Sequence, residues 1–156
     1  MITQAVEYSL RAMVTLAKRE GQPCTAQLLA ELTDTPVAYL SKLMQVLVRA
    51  ELVNSRRGVN GGFILAKKPA AMTIFDVVQA VEPIKRIRQC PLKISEHAGV
   101  LCPLHRRLDA AIAMVEHTFR ETTLADLLNE SEGRRPLCDR SSPITLRIDE
   151  PGAAED

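Results

Sequence analysis

The order of apolar and polar residues predicts an amphipathic helix at the start of the chain. Its apolar positions fall on one face of a helical repeat, and they are Val6, Leu10, Met13, Val14 and Ala17. We expect this helix over residues 3–19, because Gly21, Gln22 and Pro23 interrupt the pattern.

Two further helices are predicted, with a tight turn between them. We expect the first over 25–32 and the second over 36–50, with Thr35 as its N-cap and Pro36 in its first turn. The second helix buries an apolar stripe made of Leu40, Leu43, Met44, Leu47 and Val48. Its other face is polar, slightly basic and short of carboxylates. This pattern is typical of a helix-turn-helix motif, although a small helical bundle would also fit.

A basic β-hairpin is predicted directly after these helices. The segments 52–55 and 62–66 resemble strands, and Asn60-Gly61 between them is a strong hairpin signal because both residues tolerate positive φ. A helix-turn-helix followed by such a hairpin is a winged helix, so the fold class is mainly α with a small β-hairpin. We expect the DNA-binding residues to be Tyr39, Ser41 and Lys42 at base edges and Arg56 and Arg57 on the wing.

The second half of the chain is predicted to contain a long helix. A shorter helix precedes it from Thr73 to Val81, and a final short helix ends at Asn129. The long helix, over 103–120, has one apolar stripe formed by Leu104, Leu108, Ile112, Val115 and Phe119. In so small a chain, a second copy of the same protein is the natural partner for that stripe.

We therefore expect four segments. They are a winged helix-turn-helix DNA-binding domain over 1–82, a cysteine-containing sensor loop over 83–102, a dimerisation helix with a short helix over 103–130, and a disordered tail over 131–156.

Composition and charge narrow the possible functions. No run of eighteen apolar residues exists and the N-terminus lacks a secretory pattern, so we expect a cytoplasmic protein with no membrane span. Residues 1–108 contain 15 Lys and Arg against 8 Asp and Glu, a net charge of +7, whereas residues 109–156 contain 5 against 11, a net charge of −6. A basic front half favours a polyanionic partner. Aromatic residues are only 3%, which argues against a stacking surface for single-stranded nucleic acid.

A candidate metal site lies around the start of the long helix. Cys90 and Cys102 are separated by eleven residues, and His105 follows Cys102 at a spacing that lets both side chains bind one metal. A further ligand is needed, and Glu7, Glu96 and His97 are available. The alternative is that both cysteines are ordinary buried residues. Cys24 lacks partners at ligand spacing and Cys138 lies in the tail beside three arginines, so we expect neither to be a ligand.

With its helix-turn-helix, basic wing and cysteine site, the sequence resembles the Rrf2 (Rrf-two) family of winged-helix iron–sulfur regulators, the IscR- and NsrR-like proteins. The matching segments are 7–13, 38–43, 52–58, 61–66, 73–82 and 102–105. The arginine–glycine wing and the helix after it are the specific part of this likeness.

The resemblance implies a homodimer that binds palindromic promoter DNA, with an iron–sulfur cluster that tunes its affinity. Family members typically use three loop cysteines and a fourth ligand from histidine or an acidic residue. Here Cys90 and Cys102 match, Glu96 replaces the middle cysteine and His105 corresponds to a family histidine. Glu7 falls where other members supply an acidic ligand from the partner subunit's first helix.

This ligand set favours a [2Fe–2S] centre, since mixed ligation of two irons is chemically familiar. A mononuclear zinc or iron site is the second possibility, and a cluster-free regulator is the third. We do not expect an enzyme that uses cysteine as nucleophile and His105 as base, because no oxyanion loop, phosphate loop or paired catalytic carboxylates are visible. The predicted signal is a redox change, nitric oxide, or iron and cluster status.

Overall fold

The computed structural model describes residues 2–89 and 100–130. The described elements are α1 (Gln4–Lys18), α2 (Ala26–Thr33), α3 (Val37–Arg49), β1 (Val53–Arg56), β2 (Gly62–Leu65), a 3-10 turn (Pro69–Ala71), α4 (Ile74–Val81), α5 (Pro103–Glu121) and α6 (Leu124–Asn129). The predicted fold class, mainly helical with one small antiparallel hairpin, is confirmed. Cys90 and the predicted disordered tail lie outside the described residues.

Threonine side chains begin four of the helices. The Thr3 and Thr25 hydroxyls accept hydrogen bonds from backbone N–H groups of the first turns of α1 and α2, at 3.4 Å and 3.2 Å. Thr73 and Thr123 form complete capping boxes, with Asp76 at the start of α4 and with Asp126 at the start of α6. These local hydrogen bonds satisfy N–H groups that a helix leaves unpaired, and they explain where the elements begin.

The cap predicted for α3 is wrong. Pro36 occupies the N-cap position and makes no side-chain capping bond. The Thr35 hydroxyl is buried and instead donates to the Thr33 carbonyl at 3.3 Å, while the Thr33 hydroxyl bonds to Leu29 O at 2.7 Å. Thr35 therefore closes the end of α2, and the turn between the two helices is held from the α2 side.

One hydrophobic core unites the first four helices, the hairpin and α6. Its fully buried side chains include Met13, Leu29, Leu40, Met44, Leu47, Met72, Val77 and Leu124. The chain leaves this core along α5 and returns with α6, where Leu124 N–H donates to Met72 O at 2.9 Å. An isolated β-bridge between Thr73 and Thr123 fixes the same junction. The C-terminal end of α5 is therefore tied to the segment that leads into α4. The boundaries expected for the four segments stay a prediction.

The hairpin forms as predicted, but its turn differs. The strands pair from Val53 with Leu65 to Arg56 with Gly62, which leaves five residues in the loop. Positive φ angles occur at Gly58 and Gly62, and at neither Asn60 nor Gly61. A loop of this length is usually built on a turn whose central residues keep negative φ, so the Asn-Gly pair is not used in the way expected.

Among the described α-helices, only the long helix α5 has no buried residue. None of its residues is buried within one chain, and Leu104, Leu108 and Met114 are exposed. No helix in the described ranges has the length and apolar character to cross a bilayer.

Candidate nucleic-acid interface and cysteine site

The α3 helix presents the predicted DNA-contacting side chains on the side away from the core. Leu40, Leu43, Met44 and Leu47 face inward, whereas Tyr39 and Lys42 are exposed and Ser41 is half-buried. Spacing along one helix explains this separation, because the inward residues recur every three or four positions. Contact of Tyr39, Ser41 and Lys42 with bases stays a prediction.

An aromatic and ionic cluster joins α1 to α3. The rings of Tyr8 and Tyr39 meet edge to face with centroids 6.0 Å apart, and the Arg11 guanidinium lies 5.5 Å from the Tyr8 ring centroid. Arg11 also donates to Glu7 Oε1 at 2.6 Å and to Thr33 O at 3.0 Å. Glu7, a predicted ligand, is thus linked through one arginine to the end of α2 and to the face of α3. The sequence reasoning missed this link, although Glu7 and Arg11 have the i,i+4 spacing of a helical ion pair.

The wing is anchored to the segment that leads into α2. Phe63 of β2 exchanges two backbone hydrogen bonds with Cys24, at 2.8 Å and 3.0 Å. Gly62 makes this approach possible, since a Cβ on it would lie 2.5 Å from the Cys24 carbonyl oxygen. Arg56 ends β1, Arg57 begins the loop, and both are exposed. The two arginines therefore sit on a hairpin whose base is fixed to the helix-turn-helix.

Cys102 and His105 are close together at the start of α5. Cys102 is the N-cap, and its sulfur lies 3.2 Å from His105 Nδ1. Both side chains are half-buried. Cys90, Glu96 and His97 lie outside the described residues, and Glu7 is not brought to the pair within one chain, where the described residues show no group of three potential metal ligands.

A clamp that we call the Arg86–Asp109 clamp fixes the chain shortly before Cys90. Arg86 Nε and Nη2 donate to the two Asp109 oxygens at 2.7 Å and 2.6 Å, and Ile87 N–H donates to Oδ1 at 2.8 Å. Arg86 also reaches Glu116 at 3.4 Å. Hydrogen bonds, chiefly from Arg86 and also from Ile87, lower the pKa of Asp109 to about 2 and outweigh the opposing effect of desolvation. No sequence pattern pointed to this clamp, because Arg86 and Asp109 are 23 positions apart.

The face of α5 that carries Asp109 and Glu116 also contacts α4. Glu116 pairs with Arg120, and the Arg120 guanidinium lies 3.7 Å from the centroid of the Phe75 ring. Hydrogen bonds from Arg120, first, and from Arg86 lower the pKa of Glu116. This row of contacts holds one face of α5 against its own chain and leaves the apolar face uncovered.

Cys24 is part of the core. Its side chain is fully buried, and burial raises the pKa of its thiol while the nearby Arg19 opposes that shift. A buried thiol with a raised pKa is a poor nucleophile and a poor metal ligand. Cys138 lies outside the described residues.

The family model described as "Iron-dependent Transcriptional regulator", Rrf2, matches residues 2–130. The chain belongs to the Rrf2 family. Its mainly helical fold with a two-stranded wing is therefore that of a winged-helix transcriptional regulator, as the sequence predicted. The prediction that the chain is not an enzyme is confirmed by relatives that are transcriptional regulators.

Among relatives of this Rrf2 chain, a putative HTH-type transcriptional regulator of Aquifex aeolicus is 30% identical over 135 residues, 85% of this chain and 94% of the relative. The HTH-type transcriptional regulator CymR of Bacillus subtilis is 32% identical over 131 residues, 82% of this chain and 89% of that protein. The solved structure of T. potens IscR matches with a TM-score of 0.70 and 28% identity, over 85% of this chain and 88% of that one. The structure of B. subtilis CymR, the global cysteine regulator, has a TM-score of 0.67.

Proposed function

We propose that this Rrf2 regulator binds promoter DNA as a homodimer and that an iron–sulfur centre, [2Fe–2S], tunes its affinity. The observation that supports this proposal is the proximity of Cys102 and His105 at the N-terminus of α5, where Cys102 Sγ lies 3.2 Å from His105 Nδ1. The unpaired N–H groups and the positive dipole end of the helix suit the negative charge that a metal-bound thiolate carries. A thiolate and an imidazole are also a known mixed ligand set for two irons.

The clamp supports the assignment of Cys90 as the second thiolate ligand. Asp109 lies seven residues from Cys102, about 10 Å along a helix at ~1.5 Å per residue. Cys90 is three residues beyond Ile87, and an extended chain of that length reaches about 10 Å. The chain length is therefore sufficient for Cys90 to meet Cys102 and His105.

Glu7 of the partner subunit is proposed as the remaining ligand. In one chain Glu7 is paired with Arg11, so ligation by Glu7 and this ion pair compete for the same carboxylate. Arg11 also donates a hydrogen bond to Thr33 O, and its guanidinium lies over the ring of Tyr8. The Tyr8 ring in turn packs against Tyr39 of α3. When bound, the centre supplies a redox-active, exchangeable group. Ligation of the centre by Glu7 would release the Arg11 that pairs with it, and loss of the centre would restore that ion pair. The state of the centre would thereby be passed to α3, the recognition helix beside Arg11.

A cluster-free regulator is the second candidate function. The similarity to CymR, described as a global cysteine regulator, favours it. A mononuclear zinc or iron site remains compatible with a cysteine–histidine pair.

Anaerobic purification with iron, sulfide and zinc analysis and a visible spectrum separates these candidates. We expect iron and sulfide in equal amounts and a brown protein, with the colour lost in Cys90→Ser and Cys102→Ser and retained in the control Cys138→Ser. Glu7→Gln should shift the visible bands or speed cluster loss. A colourless protein that still binds promoter fragments would reject the cluster and keep the regulator, whereas zinc without sulfide would favour the mononuclear site.

Dimerisation and DNA binding are tested separately. Light scattering after size exclusion should give twice the mass of one chain. An anisotropy titration against promoter fragments at two salt concentrations should show affinity that falls steeply with salt.

A further inference from the structure

The tip of the wing carries a fully exposed valine. Val59 has a relative exposure of 104%, and it lies in a turn closed by a 2.9 Å hydrogen bond from Gly61 N–H to Gly58 O. Val59 and Asn60 occupy the two central positions, where φ is not positive for either residue. The branched apolar side chain therefore stands at the outermost point of the hairpin.

The turn is closely packed along its backbone. A Cβ on Gly61 would lie 2.5 Å from Arg56 O and 2.8 Å from Gly58 O. At the base of the wing, Phe63 is hydrogen-bonded to Cys24, immediately before the N-cap of α2. Val59 is thus carried at a defined position relative to the helix-turn-helix rather than on a free loop.

The surroundings of Val59 indicate a polyanion as its partner. Arg56 and Arg57 precede it, Lys67 and Lys68 follow the hairpin, and no Asp or Glu occurs between residues 52 and 75. Phosphates account for the basic residues but offer nothing to an aliphatic side chain. The apolar surfaces that a duplex presents beside its phosphates are the sugars and base edges that line the grooves. The minor groove, about 6 Å wide, admits a small side chain at the tip of a hairpin.

We propose that Val59 enters the minor groove of the operator and discriminates against G·C pairs there. This inference rests on the proposed function, in that it requires DNA binding, but it does not require the metal centre. The amino group of guanine is the hydrogen-bond donor that distinguishes G·C from A·T in the minor groove. Valine covers that donor without accepting its hydrogen bond, which leaves it buried and unsatisfied, whereas an A·T pair has no such group.

The test uses duplexes selected from a random library by the full-length parent protein. In each selected duplex, single A·T pairs are replaced by G·C or by inosine·C, which lacks the amino group in the minor groove. We expect wing-facing positions where G·C weakens binding several-fold and inosine·C does not. Val59→Ala should bind the selected duplex about three- to tenfold more weakly, as the loss of buried methyl groups predicts, and the difference between G·C and inosine·C should shrink.

Two further variants sharpen the result. Val59→Thr keeps the branched shape and supplies a hydroxyl that accepts a hydrogen bond from guanine, so it should tolerate G·C at the same positions. Ile2→Ala truncates another exposed aliphatic side chain, outside the wing and the sensor loop, and it should bind like the parent. The dependence of affinity on salt should be the same for all of these variants, since none changes a charge.

Several outcomes would overturn the inference. One is a Val59→Ala protein that keeps the parent's affinity and base preference. Another is a loss of affinity in which G·C and inosine·C still differ as they do for the parent. If the parent enriches no duplex at all, the proposed function itself fails, and a thermal-unfolding midpoint close to the parent's excludes misfolding as the cause of any loss.

Discussion

The exposed arginine at the start of the wing loop is the clearest single-residue test of the DNA interface. Arg57 is exposed and lies where the hairpin leaves β1. Removing one phosphate-contacting charge lowers the slope of log affinity against log salt by about one. We expect Arg57→Gln to weaken promoter binding at low salt and to reduce this slope. Arg107→Gln, which removes an exposed charge on α5, serves as the control, and equal slopes for all three proteins would reject the wing contact.

The two described cysteines should differ sharply in reactivity. Cys24 is fully buried with a thiol of raised pKa, whereas Cys102 is half-buried at a helix N-terminus. In native, metal-free protein, iodoacetamide should therefore modify Cys102 much faster than Cys24, as peptide mass spectrometry would show. The difference should vanish in denaturant, where both thiols are solvated. Equal rates in the native protein would contradict the burial of Cys24.

At the scale of residues, local chemistry was predictable and distant partners were not. The capping box of Thr73 with Asp76 follows from a spacing of three residues, and it is present. The same kind of reasoning predicts Thr35 as a cap of α3, but its hydroxyl turns back to α2. A threonine in a tight turn has two helix ends within reach, and the packing of those helices decides to which end its hydroxyl hydrogen-bonds.

At the scale of elements, the Arg86–Asp109 clamp joins the segment after α4 to α5. Because the clamp lowers the pKa of Asp109 to about 2 from an unfolded value near 3.9, it stabilises the fold above pH ~4. That contribution is lost as the pH falls toward 2. We expect Asp109→Asn to lower the thermal-unfolding midpoint at pH 7, and the difference from the parent to shrink as the pH falls from 4 to 2.

The matched control for the clamp is Glu121→Gln. It removes an exposed carboxylate from the last turn of the same helix, so its midpoint should follow the parent's at every pH. A difference between Asp109→Asn and the parent that stays constant down to pH 2 would show that the ionised clamp is not the source of the stability. Asp109→Asn should also release the cluster faster if the clamp holds the approach to Cys90.

The elements themselves were largely predictable, because their hydrophobic periods are strong. The bounds of α1 and α3 lie within one residue of those expected at each end. The turn of the wing was not predictable in detail. Asn60-Gly61 is a signal for a two-residue loop with Val59 opposite Gly62, whereas the observed loop has five residues and Arg56 lies opposite Gly62. The bridge between Phe63 and Cys24, which anchors β2, is also a contact that no local pattern contains.

At the scale of the whole molecule, the path of the chain connects the core that contains the helix-turn-helix to α5. Leu124 of α6 is fully buried among residues of α1, α3 and α4, although the long helix separates them in sequence. Periodicity predicted α6 as a helix but gave no reason for it to return to the first core. The rest of the chain therefore holds α5 at two places, at the Arg86–Asp109 clamp and at the Thr73–Thr123 bridge just beyond its C-terminal end.

The uncovered face of α5 is the expected contact between two copies of the chain. Leu104 and Leu108 are exposed by 63% and 47%, and a single chain leaves them in water. A stripe of this kind is stable when a second copy covers it, and a dimer reads two half-sites together. We expect Leu108→Lys to give a monomer in light scattering and to weaken binding to a palindromic duplex far more than to a single half-site. His117→Lys, on the opposite side of the helix, should remain dimeric. A Leu108→Lys protein that stays dimeric would place the subunit interface elsewhere, and the spacing of the two recognition helices would then not depend on α5.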